Sequence, residues 1–158
     1  SMQLRFPPYV LALCACVCMS AQAQTAPALA PGQQLNAQQL QAMGPLQSVS
    51  IGGQKYRVLP AQKAGGDGRA SYLVDASGKV GRTFHEVLIV GLPTAQVRQQ
   101  LGASLSQAQA VKYYEHTQTT LLRYATLEQA AAAQAQISAA LPGATVHLPV
   151  RFSQPQLH

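Results

Sequence analysis

Tryptophan is absent from this chain, phenylalanine occurs three times, and acidic residues only five times. Charged residues make up 10% of the chain, and the eleven lysines and arginines outnumber the acids to give a net charge of +6. So few charges fit one compact domain with polar, uncharged linkers better than an extended, charge-rich chain. The basic residues stand singly, from Lys55 and Arg57 through Lys112 and Arg123 to Arg151, with no basic run. Without a basic arm or a nucleic-acid motif, a mildly basic solvated surface is expected, and nucleic acid is not. Long apolar runs are also missing. The longest, Tyr9–Met19, is shorter than the roughly 20 apolar residues that a membrane-spanning helix needs.

Cysteine is confined to Cys14, Cys16 and Cys18, all inside that run. Ser1 precedes Met2 and is set aside. Arg5, the apolar run and Ala21-Gln22-Ala23 together read as an export signal of residues 1–23, cleaved after Ala23. The expected location is therefore the bacterial periplasm or beyond. Leu13-Cys14-Ala15-Cys16 offers a rival reading, lipid attachment at Cys16, and only then is membrane association expected after processing. Removing the leader removes every cysteine, so disulfides and cysteine-based metal or redox sites are excluded from the exported chain.

Residues 24–45 are rich in Pro, Ala and Gln and carry no charge. They read as a linker or loosely helical arm rather than core, with Leu35, Leu40 and Met43 as a short apolar stripe. Residues 46–84 read as short strands and tight turns. Val49 and Ile51 alternate with polar residues, Gly52-Gly53 makes a two-residue turn into Gln54–Leu59, and Asp75-Ala76-Ser77-Gly78 turns Ser71–Asp75 into Lys79–Thr83. Ala64–Arg69 reads as a flexible loop.

Residues 85–152 carry the clearest pattern. His85–Leu92 is a nearly continuous apolar strand, expected to be central and buried on both faces. A helix capped by Thr94 follows, then strands Ala110–Thr117 and Thr119–Ala125. Thr126 and Gln129 form the capping box of a second helix, whose stripe of Leu127, Ala130, Ala133, Ile137 and Leu141 is interrupted by Gln134. Gln134 must reach the rim or find a hydrogen-bond partner. Pro142-Gly143 ends that helix, and Ala144–Phe152 alternates as a final strand that Pro149 assigns to a sheet edge. The order β-α-β-β-α-β predicts an α+β, ferredoxin-like sandwich preceded by a small β-hairpin region, with a tail at 153–158. Both helices cover one sheet face. The other is left for residues 46–84, a second copy or a partner. Tyr113 and Tyr114 point to opposite faces, so one of them belongs to that open side.

No motif assigns an enzyme. G-x-S-x-G and H-E-x-x-H are missing, and Ile89 stands where the second zinc histidine of the latter would fall after His85-Glu86. His85, His116, His147 and His158 are dispersed, and Gly65-Gly66-Asp67-Gly68 lacks the Lys-Ser/Thr of a phosphate loop. No catalytic residue, cofactor or metal is expected.

The stretch Tyr72–Pro93, with Thr119–Gly143 and Ala144–Phe152, resembles the propeptide/inhibitor domain of subtilisin-like serine proteases. The resemblance implies an intermolecular chaperone and inhibitor whose open sheet face docks on paired helices of a protease. It also implies that the tail, Ser153, Gln154, Pro155, Gln156, Leu157 and His158, lies extended in the substrate cleft as an added strand. Tyr113, Tyr114, Arg151 and Phe152 complete the implied partner contacts. Alternative readings with the same topology are a periplasmic peptidoglycan-binding module similar to the SPOR domain and an assembly subunit of an envelope complex.

Overall fold

The computed structural model describes residues 29–60 and 70–153. The leader, the Ala64–Arg69 loop and the tail contacts Gln154, Pro155, Gln156, Leu157 and His158 lie outside the described residues. The described chain is a mixed α/β protein with two four-stranded antiparallel sheets and three α-helices.

The first sheet is a meander of β1 (Ser48–Ile51), β2 (Gln54–Val58), β3 (Ser71–Val74) and β4 (Val80–Thr83). Gly52 and Gly53 both take positive φ, 59° and 83°, as the tight turn between β1 and β2 requires. The turn into β4 is built by the Asp75 carboxylate. It accepts from the Ser77 N–H at 2.9 Å, the Ser77 hydroxyl at 2.7 Å and the Lys79 N–H at 2.9 Å. Burial alone would raise the Asp75 pKa, but these bonds and the Lys79 charge outweigh it and hold the carboxyl below its ordinary value.

The expectation that residues 24–45 stay out of the core is corrected for the described part of them. Leu29, Leu35 and Leu40 are buried against Leu59, Val74 and Val80 on the outer face of the first sheet. Leu40 lies on α1 (Ala37–Ala42), a helix far too short to persist alone. A capping box supports it: the Gln39 N–H donates to Asn36 Oδ1 and the Asn36 N–H to Gln39 Oε1, each at 2.8 Å. Three leucines spaced along an otherwise polar segment are what hold it on the sheet.

The second sheet has the order β6-β7-β5-β8, with every neighbour antiparallel. Its strands are β5 (Glu86–Val90), β6 (Ala110–Tyr114), β7 (Thr119–Arg123) and β8 (Thr145–His147). Helix α2 (Thr94–Leu101) joins β5 to β6, and α3 (Leu127–Ala140) joins β7 to β8. Val87, Ile89 and Leu122 from the strands, Val97 from α2, and Ala130, Ala133 and Ile137 from α3 form one buried cluster. Ile51, Tyr56 and Leu73 of the first sheet join it, so the two sheets share a core through α3.

Helix starts differ in detail from expectation. The N-cap of α2 is Pro93 rather than Thr94, which is the first helical residue. At α3 the Thr126 hydroxyl accepts from the Gln129 N–H at 3.1 Å. Gln134 finds its partners: its amide donates to the Val146 carbonyl at 3.2 Å and accepts from the Gly52 N–H at 3.4 Å. A polar residue on an apolar stripe thus pins the β1–β2 turn to β8.

Two strand expectations are corrected. β5 is not buried on both faces: Val87 and Ile89 are fully buried, whereas Glu86, Leu88 and Val90 are half-buried. The final strand does not run from Ala144 to Phe152 along the second sheet. It pairs with β5 only over Thr145–His147, then crosses to the first sheet, where Arg151 bridges to Arg82 on β4. A Cβ on Gly81 would lie 2.6 Å from Val150 Cγ1 and 2.9 Å from Phe152 Cε1, so glycine is what lets this strap lie close over β4.

Candidate protein-docking face

The open face of the second sheet is set by register. Residues directly opposite in an antiparallel ladder share a face. One row across the four strands is Lys112, Leu121, Leu88 and His147. The next is Tyr114, Thr119, Val90 and Thr145, and beyond Leu88 on the other side lie Ala110, Arg123 and Glu86. None of these is fully buried, while the intervening Val87, Ile89, Thr120 and Leu122 are buried under the helices. The first sheet packs beside α3 and β8, and among the described residues no element is packed on this face: Leu88, Val90 and Leu121 stay partly exposed and outside the buried clusters.

Its chemistry is an apolar centre with polar ends. Leu88 and Leu121 are direct partners on the two central strands. Tyr114, 48% exposed, is the large hydrophobic side chain most open to solvent among the described residues. Arg123 donates to Glu86 Oε1 at 2.7 Å, a cross-strand ion pair between directly opposed residues. With both side chains about a quarter exposed, it orients the two groups more than it stabilises the sheet. Lys112 and His147 stand exposed at opposite ends of the Leu121–Leu88 row.

The structure separates the expected contact residues. Tyr114 lies on the open face. Tyr113 lies on the helix face, its ring 3.9 Å from the Arg98 guanidinium of α2. Arg151 and Phe152 are used within the chain. Arg151 exchanges backbone hydrogen bonds with Arg82, and the Phe152 ring stacks on Tyr56 with centroids 6.5 Å apart. Both therefore belong to the strap, where the Arg151 side chain is exposed and Phe152 is partly buried. Ser153 is exposed at the end of the described chain.

Leu88, Leu121 and Lys112 were missed as face residues by the sequence reading. The signal was present as period-two alternation in TTLLR and EVLIV. It was masked because the outward positions are themselves apolar.

No group of three potential ligands places a metal site among the described residues. Nor is any described helix long and apolar enough to cross a membrane. Comparison with protein-family models, curated proteins and solved structures returns no match for this chain.

Proposed function

We propose that this chain is an exported, propeptide-like chaperone and inhibitor that docks the open face of its second sheet on a subtilisin-like serine protease. The β-α-β-β-α-β order, the β6-β7-β5-β8 sheet and two helices on one side are read as the ferredoxin-like arrangement of such inhibitors. The observation that carries the reading is the partly exposed Leu88–Leu121 pair at the centre of the sheet, with the exposed Tyr114 beside it. A partner that buries them gains the hydrophobic term and leaves Lys112 and the Glu86–Arg123 pair at the rim.

The face by itself is small. Four strands about 4.8 Å apart and about 3.4 Å of rise per residue give a patch of roughly 250 Å² in plan. Stable interfaces bury about 800 Å² on each partner. Further contact is needed, and the residues after Phe152 are the proposed source, since the strap fixes where they leave the body. Binding only the folded protease lowers its free energy relative to misfolded traps, which is the chaperone function expressed as mass action.

The test is hydrolysis of a peptide substrate by a subtilisin-like protease from the same organism, titrated with the purified chain. Stoichiometric inhibition is expected, with loss in Leu121→Asp and in a chain ending at Ser153. Protease activity unchanged over a wide molar excess of the wild-type chain would refute the proposal.

A further inference from the structure

Arg82 and Arg151 face each other directly across an antiparallel bridge. The N–H of each donates to the carbonyl of the other at 2.8 Å. This is a hydrogen-bonded pair, with Cα atoms about 5.5 Å apart and both side chains on the same side. The Arg82 guanidinium sits 4.5 Å from the centroid of the Phe84 ring, and that of Arg151 sits 5.8 Å from the same centroid. Tyr72 is the direct partner of Arg82 on the other flank, in β3. The result is a row of Tyr72, Arg82 and Arg151 above a phenylalanine shelf. It belongs to the first sheet and the strap, not to the docking face of the second.

Like charges directly opposite one another destabilise a sheet. No carboxylate pairs with either arginine among the described residues, where the one ion pair is Arg123–Glu86. The chain has five acids for eleven bases, so the local excess is not relieved by composition. The aromatic ring attracts each guanidinium but does not cancel their mutual repulsion, and one arginine would satisfy it. The backbone bonds thus hold two arginines side by side beside one aromatic ring, and no acidic side chain among the described residues neutralises either of them.

The donor set selects among anions. Each guanidinium presents a planar fork with five N–H donors, ten in all. A carboxylate offers two oxygens and one negative charge, which one fork satisfies. A phosphate monoester carries a charge near −2 and three terminal oxygens, enough to accept from both forks at once. We propose that Arg82, Arg151 and Phe84 form a phosphate-binding site, with Tyr72 at its edge. The bound group bridges β4 and the strap, so its occupancy also locks the strap onto the first sheet. The inference does not rest on the protease reading.

The experiment uses the full chain and follows its melting temperature at constant ionic strength, with inorganic phosphate, with acetate, and without either. Phosphate is expected to raise the melting temperature of the wild type and of Arg98→Gln, a control arginine on α2. It is expected to leave Arg151→Gln and Arg82→Gln unmoved, with phosphate affinity reduced about tenfold or more in each. Acetate is expected to give little shift. Without ligand, exposed Arg151→Gln is expected to melt at or above the wild type, because a repulsion has been removed. A purely structural stacking role requires it to melt lower. Sedimentation with phosphatidic acid vesicles, whose headgroup is a phosphate monoester, separates the sources: Arg151-dependent binding identifies a lipid phosphate, and a response to inorganic phosphate alone identifies a soluble one. The proposal is overturned if phosphate leaves the wild type unchanged, if acetate matches it, if Arg151→Gln responds like the wild type, or if unliganded Arg151→Gln melts lower.

Discussion

The hydroxyl of Ser71 lies 2.6 Å from Nε2 of His85, a hydrogen bond that ties β3 to the residue joining the two sheets. His85 is 5% exposed and takes φ +59°, an uncommon conformation for a side-chain-bearing residue. Its carbonyl accepts from the Tyr124 N–H at 3.0 Å, anchoring the corner to the end of β7. Burial pushes the imidazole below its ordinary pKa of 6.5, with Glu128 pulling weakly the other way.

That depressed pKa makes stability depend on pH. Between the folded-state value and 6.5 the unfolded chain binds more protons at His85 than the folded chain. Stability is therefore full above 6.5 and falls as pH drops through the window below it. Asp75, also held below its ordinary value, adds a loss of the same sign at lower pH. Urea midpoints between pH 8 and 5 are expected to decline. His85→Asn, which keeps a residue tolerant of left-handed backbone, is expected to flatten the upper part of that decline. Equal slopes in both proteins would show that His85 is not the group responsible.

Removing the Ser71 hydroxyl leaves a buried imidazole nitrogen without its partner. Ser71→Ala is expected to cost about 1–3 kcal/mol at neutral pH, read from chemical denaturation. A cost near zero would mean that the corner is held by its backbone bonds alone.

Two buried threonines give the opposite sign. The hydroxyls of Thr83 and Thr120 are buried without a hydrogen-bond partner. Thr120 sits between Tyr113 and Ile89 under the helices, where a methyl group fits the surroundings better than a hydroxyl. Thr120→Val is expected to stabilise the fold by about 1 kcal/mol, since it keeps the shape and β-branching and removes an unpaid desolvation. Lower stability of the valine variant in denaturant titration would refute this account.

Gln134 joins the two sheets through one amide. Gln134→Leu keeps the apolar stripe of α3 but deprives the Val146 carbonyl and the Gly52 N–H of their partner. The expected cost is about 1–2 kcal/mol. Amide exchange should quicken first at Gly52, and uniform change across both sheets would argue against a local pin.

Gly81→Ala probes the strap. The added methyl overlaps Val150 and Phe152, an overpacking expected to cost about 1–3 kcal/mol. Loss of exchange protection at the Arg82 and Arg151 amides is the expected accompaniment. Unchanged protection there would mean that the strap accommodates the methyl without leaving β4.

Local features were legible in the residues because their causes are local. Gly52-Gly53 fits only a tight turn, Asp75 caps its own backbone two and four residues on, and Thr126 caps the helix whose apolar positions follow it. The alternation of Val146, Leu148, Val150 and Phe152 was equally plain in the sequence. It cannot say which sheet each residue serves, and the chain changes sheets after His147.

Local residue patterns specify the set of elements and the sides on which their apolar residues fall, since turn chemistry and periodicity act over a few residues. Only the folded molecule makes Leu35 and Leu40 core, turns Phe152 inward, sets Leu88 opposite Leu121 and brings Arg82 to Arg151. Each of these depends on pairing between segments far apart in the chain. Such pairing is chosen by the total burial and backbone bonding of the whole molecule, a sum that no short stretch of residues contains.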